Sequence, residues 1–255
     1  MRATKKRIGF ALGVLFAAIA AIAAAQPAST LFAYVGTGIK DPVIELGAMY
    51  ERKTGVKIEM TFNNSGSLVG QLKLSKSGDI FMPGSAAFVD MAKEAGLVAE
   101  VSGPIAYHVP VIIVPKENKA NIRGIRDFGR KGVRLILPDL KATALGQAVS
   151  KVFEAAGIAD AAGANVIAFM ETPQKVAAAM SLGQGDAGIV DYNAIVQYAD
   201  RFTVIEIDPT LNVVEVLPCA VLSCGTKQDQ ARDFMAFVER EGPAVFAKYG
   251  FKAAK

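Results

Sequence analysis

The stretch Leu31-Phe-Ala-Tyr-Val-Gly-Thr-Gly38 joins an apolar run to a turn of small residues, and it decides how the chain is expected to fold. A second stretch, Val56-Lys-Ile-Glu-Met-Thr-Phe-Asn-Asn-Ser-Gly-Ser67, repeats the arrangement. Each predicts a strand that feeds a helix through a turn of Gly, Ser and Thr. Backbone N–H groups and hydroxyls at such a turn face outward at the positive end of the helix dipole. Both turns are therefore candidate anion sites.

Outside these stretches, apolar runs of strand length alternate with segments of helical periodicity, which predicts an α/β fold with mainly parallel sheets. Asp41 and Pro42 are predicted as the N-cap and first residue of the first helix. The prolines in Tyr107–Pro115 favour an edge strand or a crossing between lobes. Two further strand-to-helix junctions carry Thr143 and Thr172, and strand ends that feed helices are where open α/β sheets bind ligands.

The N-terminus predicts an exported protein. Residues 1–26 combine four basic side chains, an apolar run and a small-residue cleavage site, which is typical of a signal peptide. An uncleaved membrane anchor is the alternative, although the apolar run is short for a span. The whole chain has 28 Lys+Arg and 24 Asp+Glu, so removing these four bases leaves 24 of each. A neutral mature chain does not indicate a surface for nucleic acid or membranes.

Cleavage after residue 26 would leave 255 − 26 = 229 residues, enough for one large domain or for two lobes of about 100 residues. Cys219 and Cys224 lie in a predicted buried strand. Five residues of strand separate two Cα atoms by roughly 16 Å, whereas a disulfide needs them within about 7 Å. Two buried thiols are expected rather than a disulfide, a metal site or a nucleophile.

The candidate ligand-binding residues gather at the four junctions and at the end of the predicted strand 188–191. Several N–H and O–H donors that converge on one anion could supply micromolar to nanomolar affinity without a cationic side chain. At each junction, however, the hydroxyl could instead serve only as a helix cap. Lys40, Lys141 and Lys175 could focus charge on the site or be solvated. The candidates are Gly36, Thr37, Gly38, Ser65, Gly66, Thr143, Ala144, Thr172, Gln174, Asp191 and Tyr192.

Two residues near these junctions are harder to interpret. Asp191 disfavours an anion unless the ligand carries a proton or the carboxylate is paired, for example with a lysine across the cleft. Tyr192 could donate a hydrogen bond beside it. His108, the one histidine of the chain, is interpreted as structural.

At these residues the chain resembles the periplasmic molybdate-binding proteins, which are solute-binding proteins of ABC transporters. The resemblance covers essentially the whole mature chain and depends on the order and spacing of short motifs. The motifs are Phe32-Ala33 with its loop, Tyr50-Glu-Arg-Lys-Thr-Gly55, Asn64-Ser-Gly66, Gly78-Asp-Ile-Phe81, Ala144-Leu-Gly146 and Gly185-Asp-Ala-Gly-Ile-Val190.

The resemblance implies a two-lobed periplasmic-binding-protein fold with the ligand cleft at the hinge. It implies lobe 1 at residues 27–108, lobe 2 at 109–206, and a crossing strand with a return to lobe 1 at 207–255. The family's two serine sites fall at Thr37 and Ser65. Its third contact falls near Thr143–Leu145 and its fourth near Thr172–Gln174, where Pro173 has no N–H. The family's tyrosine aligns with Asp191, and a shift of one residue would bring Tyr192 to its place.

These observations predict a periplasmic solute-binding protein that captures a molybdate- or tungstate-like oxyanion and delivers it to the permease of an ABC importer. It is expected to be a monomer without a cofactor, a metal site or a nucleic-acid partner. One alternative is the same fold with a small organic anion, a carboxylate or phosphate ester, in a sensor or surface-antigen role. An exported enzyme is the other alternative, but the sequence shows no Ser-His-Asp or metal-ligand pattern.

Overall fold

The computed structural model of the protein describes residues 29–254, without the side chains at positions 196, 197 and 199. The predicted signal peptide, residues 1–26, lies outside that range. Within it, the chain alternates strands and helices as the apolar pattern predicts. The strands are β1 (Thr30–Gly36), β2 (Lys57–Asn63), β3 (Ile80–Met82), β4 (Val98–His108), β5 (Pro110–Pro115), β6 (Leu135–Pro138), β7 (Val166–Met170), β8 (Ala187–Asp191), β9 (Phe202–Glu206), β10 (Glu215–Leu222) and β11 (Lys252–Ala253).

The helices connect most of these strands. They are α1 (Lys40–Thr54), α2 (Ser65–Ser75), α3 (Ala86–Glu94), α4 (Ala144–Ala156), α5 (Ala159–Ala164), α6 (Pro173–Ser181) and α7 (Gln228–Lys248). Shorter 3₁₀ segments occupy Thr37–Ile39, Ile125–Gly129 and Tyr192–Arg201. Among the described residues, no helix combines the length and the apolar character that a membrane span requires.

The strands form two sheets, each with helices on both faces. The six-stranded sheet has the order β11-β4-β10-β3-β1-β2, and we call it lobe 1 together with α1, α2, α3 and α7. The five-stranded sheet has the order β7-β6-β8-β5-β9, and with α4, α5 and α6 it forms lobe 2. Two fully buried apolar clusters flank each sheet, so each lobe has its own core.

The chain passes between the sheets twice. The first crossing is at Val109, between β4 and β5, where the predicted strand Tyr107–Pro115 divides in two. The second lies between β9 and β10. Of the two arrangements that the prolines favoured, the crossing is therefore the one found, because β5 pairs with strands on both sides. The predicted boundaries of the lobes as folding units stay a prediction.

The α/β class and the two-lobed architecture are confirmed, but the sheets are mixed rather than mainly parallel. β1 pairs with β2 and β3 in parallel, and β6 does so with β7 and β8. The strands beside the crossings, β4, β5, β9 and β10, pair antiparallel. Each crossing strand enters the other sheet without an intervening helix, so it runs against its neighbours.

Two local predictions need correction. The first helix begins at Lys40 rather than after an Asp41 cap, because the 3₁₀ turn Thr37–Ile39 runs directly into it. Pro42 is tolerated in the first helical turn, where its missing N–H would have no acceptor. Cys219 is fully buried in β10, and burial raises the pKa of its thiol. Cys224 lies beyond the end of that strand and is only half-buried; both cysteines are free.

Candidate ligand-binding site

A small cavity lies between the two lobes where the carboxyl ends of several strands meet. The centre of a water-sized sphere can occupy about 30 Å³ within it, so the cavity suits a ligand of few heavy atoms. Both lobes contribute to its wall, mainly through turns and helix starts. The lining residues are Gly36, Thr37, Gly38, Asn63, Asn64, Ser65, Gly84, His108, Thr143, Ala144, Leu145, Glu171, Thr172, Pro173 and Asp191.

Ser65 is the buried hydroxyl of the lobe 1 wall. It is the first residue of α2, whose N-cap is Asn64: the Asn64 side chain accepts a hydrogen bond of 2.8 Å from the Ser67 N–H. Because Asn64 caps the helix, the Ser65 hydroxyl is not needed for capping. Its Oγ accepts from the Gly84 N–H at 3.0 Å, which fixes the oxygen and leaves its own proton for another acceptor.

The other lobe 1 junction is the end of β1. Gly36 is buried, and Thr37 and Gly38 begin the 3₁₀ turn that leads into α1. The N-cap of this turn is Gly36, which has no side chain, so the Thr37 hydroxyl is not the cap. This turn therefore presents the positive end of a helical segment and a hydroxyl to the cavity.

Lobe 2 builds its wall differently, because the hydroxyls at its helix starts serve as caps. Thr143 Oγ1 accepts from the Gly146 N–H at 2.9 Å and donates to the Asp139 carbonyl at 2.8 Å. The amides of the next two residues, Ala144 and Leu145, are the N–H groups for which α4 supplies no acceptor. This junction therefore offers backbone amides rather than a side-chain donor.

At the start of α6, Thr172 is the N-cap and Pro173 the first helical residue, and Thr172 Oγ1 accepts from the Lys175 N–H at 3.2 Å. Pro173 has no N–H to offer. Beside it, Glu171 lines the cavity but is exposed and forms an ion pair with Lys175. This junction therefore offers the proton of the Thr172 hydroxyl but no amide from Pro173.

His108 and Asp191 form a buried pair at the hinge edge of the cavity. His108 ends β4, Asp191 ends β8, and their side chains are about 5% and 4% exposed. His108 Nδ1 lies 2.7 Å from Asp191 Oδ2, off the line of a straight hydrogen bond, so the contact is an ion pair when the imidazole is protonated. Asp191 Oδ1 is buried and has no hydrogen-bond partner among the described residues.

The partner of Asp191 is therefore the histidine that the sequence suggested was structural, not a lysine across the cleft. None of the three lysines considered for focusing charge lines the cavity. Lys175 is paired with Glu171, and the Lys40 ammonium lies 5.5 Å from the ring centre of Phe62. Lys141 is exposed on its loop.

The lobes touch each other around the cavity, so the described conformation is closed. The Gly66 N–H donates to the Ala142 carbonyl at 3.1 Å, and Asn193 Nδ2 donates to the Gly38 carbonyl at 3.2 Å. A Cβ on Gly84 would lie 2.8 Å from the Ala144 Cβ, so closure to this distance requires glycine there.

The cavity gathers eight of the eleven predicted residues: Gly36, Thr37, Gly38, Ser65, Thr143, Ala144, Thr172 and Asp191. The other three are placed elsewhere. The Gly66 amide is engaged by Ala142, Gln174 lines a neighbouring cavity, and Tyr192 is 55% exposed on the far side of Asp191. The shift of one residue that would bring Tyr192 to the cavity does not occur.

Sequence reasoning did not place His108, Gly84 or Glu171 in the site. His108 had one usable signal, its position beside Val109 and Pro110 in the segment predicted to cross between lobes. A side chain at such a crossing lies near any cleft that the lobes form. Gly84 and Glu171 carry no comparable local signal.

Two α/β lobes joined at a hinge, with a small donor-lined cavity between them, define a solute-binding protein of the type II periplasmic class. The chain belongs to the bacterial extracellular solute-binding protein family, whose model matches residues 31–252. The predicted family resemblance is thereby confirmed.

Two curated relatives match over most of their length. A Haemophilus influenzae protein named "Putative binding protein" is 27% identical over 89% of this chain and 93% of its own. The molybdate-binding protein ModA of Mycobacterium tuberculosis is 25% identical over 89% of this chain and 85% of its own.

Solved structures share the fold at lower identity. The "substrate binding domain of putative molybdenum ABC transporter from Clostridium difficile" has a TM-score of 0.68 at 19% identity, and the match covers 89% of this chain and 100% of that one. PEB3 bound to L-phospholactate has a TM-score of 0.70 at 21% identity, and the match covers 88% of this chain and 100% of that one. The sulfate-binding protein SubI from Mycobacterium tuberculosis has a TM-score of 0.74 at 17% identity, and the match covers 89% of this chain and 88% of that one.

Proposed function

We propose that the protein captures a small oxyanion of the molybdate and tungstate class between its lobes and delivers it to the permease of an ABC importer in the periplasm. The observation that carries this proposal is the cavity itself. Its volume is small, and its wall offers the Ser65 hydroxyl, the Thr37 turn and the amides at the start of α4. These donors suit a compact, fully ionised anion.

One relative supports this proposal, since ModA of Mycobacterium tuberculosis is a molybdate-binding protein. Binding alone is proposed, without a reaction. Closure of the lobes on the anion supplies the shape that the permease recognises. Export by residues 1–26 and a monomeric state belong to the same proposal.

Isothermal titration calorimetry with sodium molybdate, tungstate, sulfate and phosphate tests it. We expect molybdate and tungstate to bind most tightly, with dissociation constants between about micromolar and about nanomolar. Each binding anion is also expected to raise the unfolding temperature, because it binds only the folded protein. Absence of binding by all four anions would refute the proposal.

A small organic anion is the second candidate, and a second cavity favours it. This cavity, about 310 Å³ by the same measure, shares Thr37 and Gly38 with the first and reaches Lys40. Gln174 Oε1 and Asn193 Oδ1, from two of its lining residues, are buried without partners among the described residues. A phosphate or carboxylate in the first cavity could therefore extend an organic group into the second.

L-Phospholactate, the ligand of the similar PEB3 structure, is the probe for this candidate. It is compared with inorganic phosphate and molybdate under identical conditions. Binding of phospholactate at least about a hundredfold tighter than both inorganic anions would establish the organic class. Preference for molybdate would exclude it.

A further inference from the structure

We propose that His108 is a ligand-binding residue whose Nε2–H donates to the bound anion, and that the His108–Asp191 pair must hold two protons for the anion to bind. This inference rests on the proposed function, because it concerns the same cavity. It makes capture of the anion a proton-coupled event, in which Asp191 positions the histidine.

The first step is the orientation of the imidazole. Nδ1 faces Asp191 Oδ2 at 2.7 Å, so Nε2 is the nitrogen on the opposite side of the ring. A Cβ on Gly84 would lie 3.5 Å from His108 Nε2 and 3.5 Å from Ser65 Oγ. Nε2 and the Ser65 hydroxyl therefore border the same space, and both residues line the cavity. Contact with the ring of Phe251, 5.5 Å between centroids, holds the imidazole from another side.

The second step is a count of protons. An anion beside Nε2 requires a proton on Nε2, since a bare nitrogen would present a lone pair to it. The 2.7 Å contact between Nδ1 and Oδ2 requires another proton on the pair, because an unprotonated nitrogen and a carboxylate oxygen would repel each other at this distance. Both protons together make the pair neutral, whichever atom carries the second one. With only one proton the pair has a net charge of −1 next to the anion.

The third step is that no lysine or arginine among the described residues lines the cavity to neutralise that negative charge. The pair is almost fully buried, so water screens it poorly. Two of the acidic groups around it are paired with lysines: Glu215 on β10 with Lys151, and Glu171 before α6 with Lys175. The remaining charged and titratable groups line the cavity on the far side of Asp191; they are Tyr107, Tyr192, Glu206 and Lys252. None of the lysines among them lines the cavity that would hold the anion.

Proton uptake follows from this count. Where the unliganded protein already holds both protons, it binds the anion directly. Where it holds only one, each bound anion brings one proton with it, so the affinity falls about tenfold per pH unit. A cage made only of backbone amides and hydroxyls would show no such slope, because none of its donors titrates in this range.

The test is calorimetry with sodium molybdate from about pH 5 to about pH 9, a range that covers the ordinary charge change of a histidine side chain. Buffers that differ in ionisation enthalpy report the protons taken up. For the wild type we expect up to one proton per anion and a falling affinity at high pH. In the double variant His108→Gln/Asp191→Asn neither side chain titrates, so we expect binding about tenfold to a hundredfold weaker at about pH 6, with a flat profile.

Asp191→Asn gives the result that a merely structural role would not produce. Without the carboxylate, a neutral His108 can hold its single proton on Nε2, so binding no longer needs proton uptake. We therefore expect this variant to bind molybdate more tightly than the wild type at about pH 9. Ser65→Ala is the matched control, because it weakens binding at every pH and leaves the slope unchanged. Circular dichroism at each pH verifies that the variants are folded.

NMR of the imidazole nitrogens supplies a readout that is independent of affinity. Since His108 is the one histidine of the chain, its signals need no assignment in protein that carries no histidine tag. We expect Nε2 to be protonated in the molybdate complex at every pH at which the complex forms. Molybdate binding with a flat pH profile, or an unprotonated Nε2 in the complex, would overturn the inference alone. Absence of binding by molybdate, tungstate, sulfate and phosphate at about pH 6 would overturn the proposed function and the inference with it.

Discussion

The two lobes surround one cavity but use the same residue types for opposite purposes. In lobe 1, Asn64 caps α2, which frees the Ser65 hydroxyl to face the cavity. In lobe 2, Thr143 and Thr172 are themselves the caps, and Thr143 also donates its hydroxyl proton to the Asp139 carbonyl. A small polar residue at a strand-to-helix junction can therefore donate to a ligand only where its hydroxyl proton has no acceptor within the protein.

The largest expected effect concerns the lobe 2 loop that is packed onto α4. A Cβ on Gly146 would lie 1.9 Å from the Asp139 carbonyl oxygen, so the loop would have to move in Gly146→Ala. We expect a loss of about 3 kcal/mol in the free energy of unfolding, measured with urea. Gly70→Ala in α2 of lobe 1 is the control. Nothing lies within 4 Å of its Cβ position, so we expect the free energy of unfolding to rise by about 0.5–1 kcal/mol in this variant. Equal stability of Gly146→Ala and the wild type would show that the loop is not held as described.

The next effect separates the two uses of a hydroxyl. Ser65→Ala removes a donor to the anion, so we expect molybdate affinity to fall by about 1.5–3 kcal/mol in calorimetry. Thr143→Ala removes a cap, so we expect the free energy of unfolding to fall by about 1 kcal/mol and the affinity to change less than in Ser65→Ala. The contrast between the lobes would break down if the Thr143 variant lost as much affinity as the Ser65 variant.

The smallest expected effect is the acid sensitivity of an ion pair in lobe 2. Burial raises the pKa of Asp186, but hydrogen bonds from the Arg134 guanidinium and amide outweigh it, so the net pKa is lowered. A carboxyl with a lowered pKa stabilises the fold above its unfolded value of 3.8, and this stabilisation is lost as the pH falls below it. Because Arg134 is half exposed, solvent screening limits the contribution to less than about 1 kcal/mol.

Asp186→Asn should therefore lower stability by this small amount at about pH 7 and by nothing at about pH 2, measured by thermal unfolding. Glu59→Gln in lobe 1 is the control, because the Lys57–Glu59 pair is exposed on both sides. We expect no pH-dependent difference there. An equal change in both variants would mean that Asp186 contributes no more than a surface charge.

Much of the fold could be predicted because short stretches of sequence determine where its helices and strands begin and end. The turn after β1, the Thr172-Pro173 start of α6 and the left-handed Gly55 that ends α1 each depend on a few neighbouring residues. The mixed sheets could not be predicted in this way. Whether β10 runs parallel or antiparallel depends on its neighbours β3 and β4, which lie more than a hundred residues away in the sequence.

The same division holds for the site. Thr37, Ser65 and Ala144 were predicted because each lies at a junction that the local pattern reveals. His108 and Asp191 lie on strands of different lobes, and only the crossing at Val109 brings them within 2.7 Å. Gly66 was predicted as a ligand-binding residue, yet its amide donates to Ala142. No local pattern shows which surface of the opposite lobe a turn will meet.

The hydrogen bond from Gly66 to Ala142 has a consequence for measuring the motion of the lobes. In the closed protein this amide is shielded by a carbonyl of the other lobe, whereas separation of the lobes would leave it to water. Its rate of exchange with deuterium is therefore set by how often the protein opens, and not by local fraying of α2. Exchange at this single backbone amide thus reports the opening of the lobes, and its rate falls in proportion to the fraction of molecules that remains open when a ligand is bound.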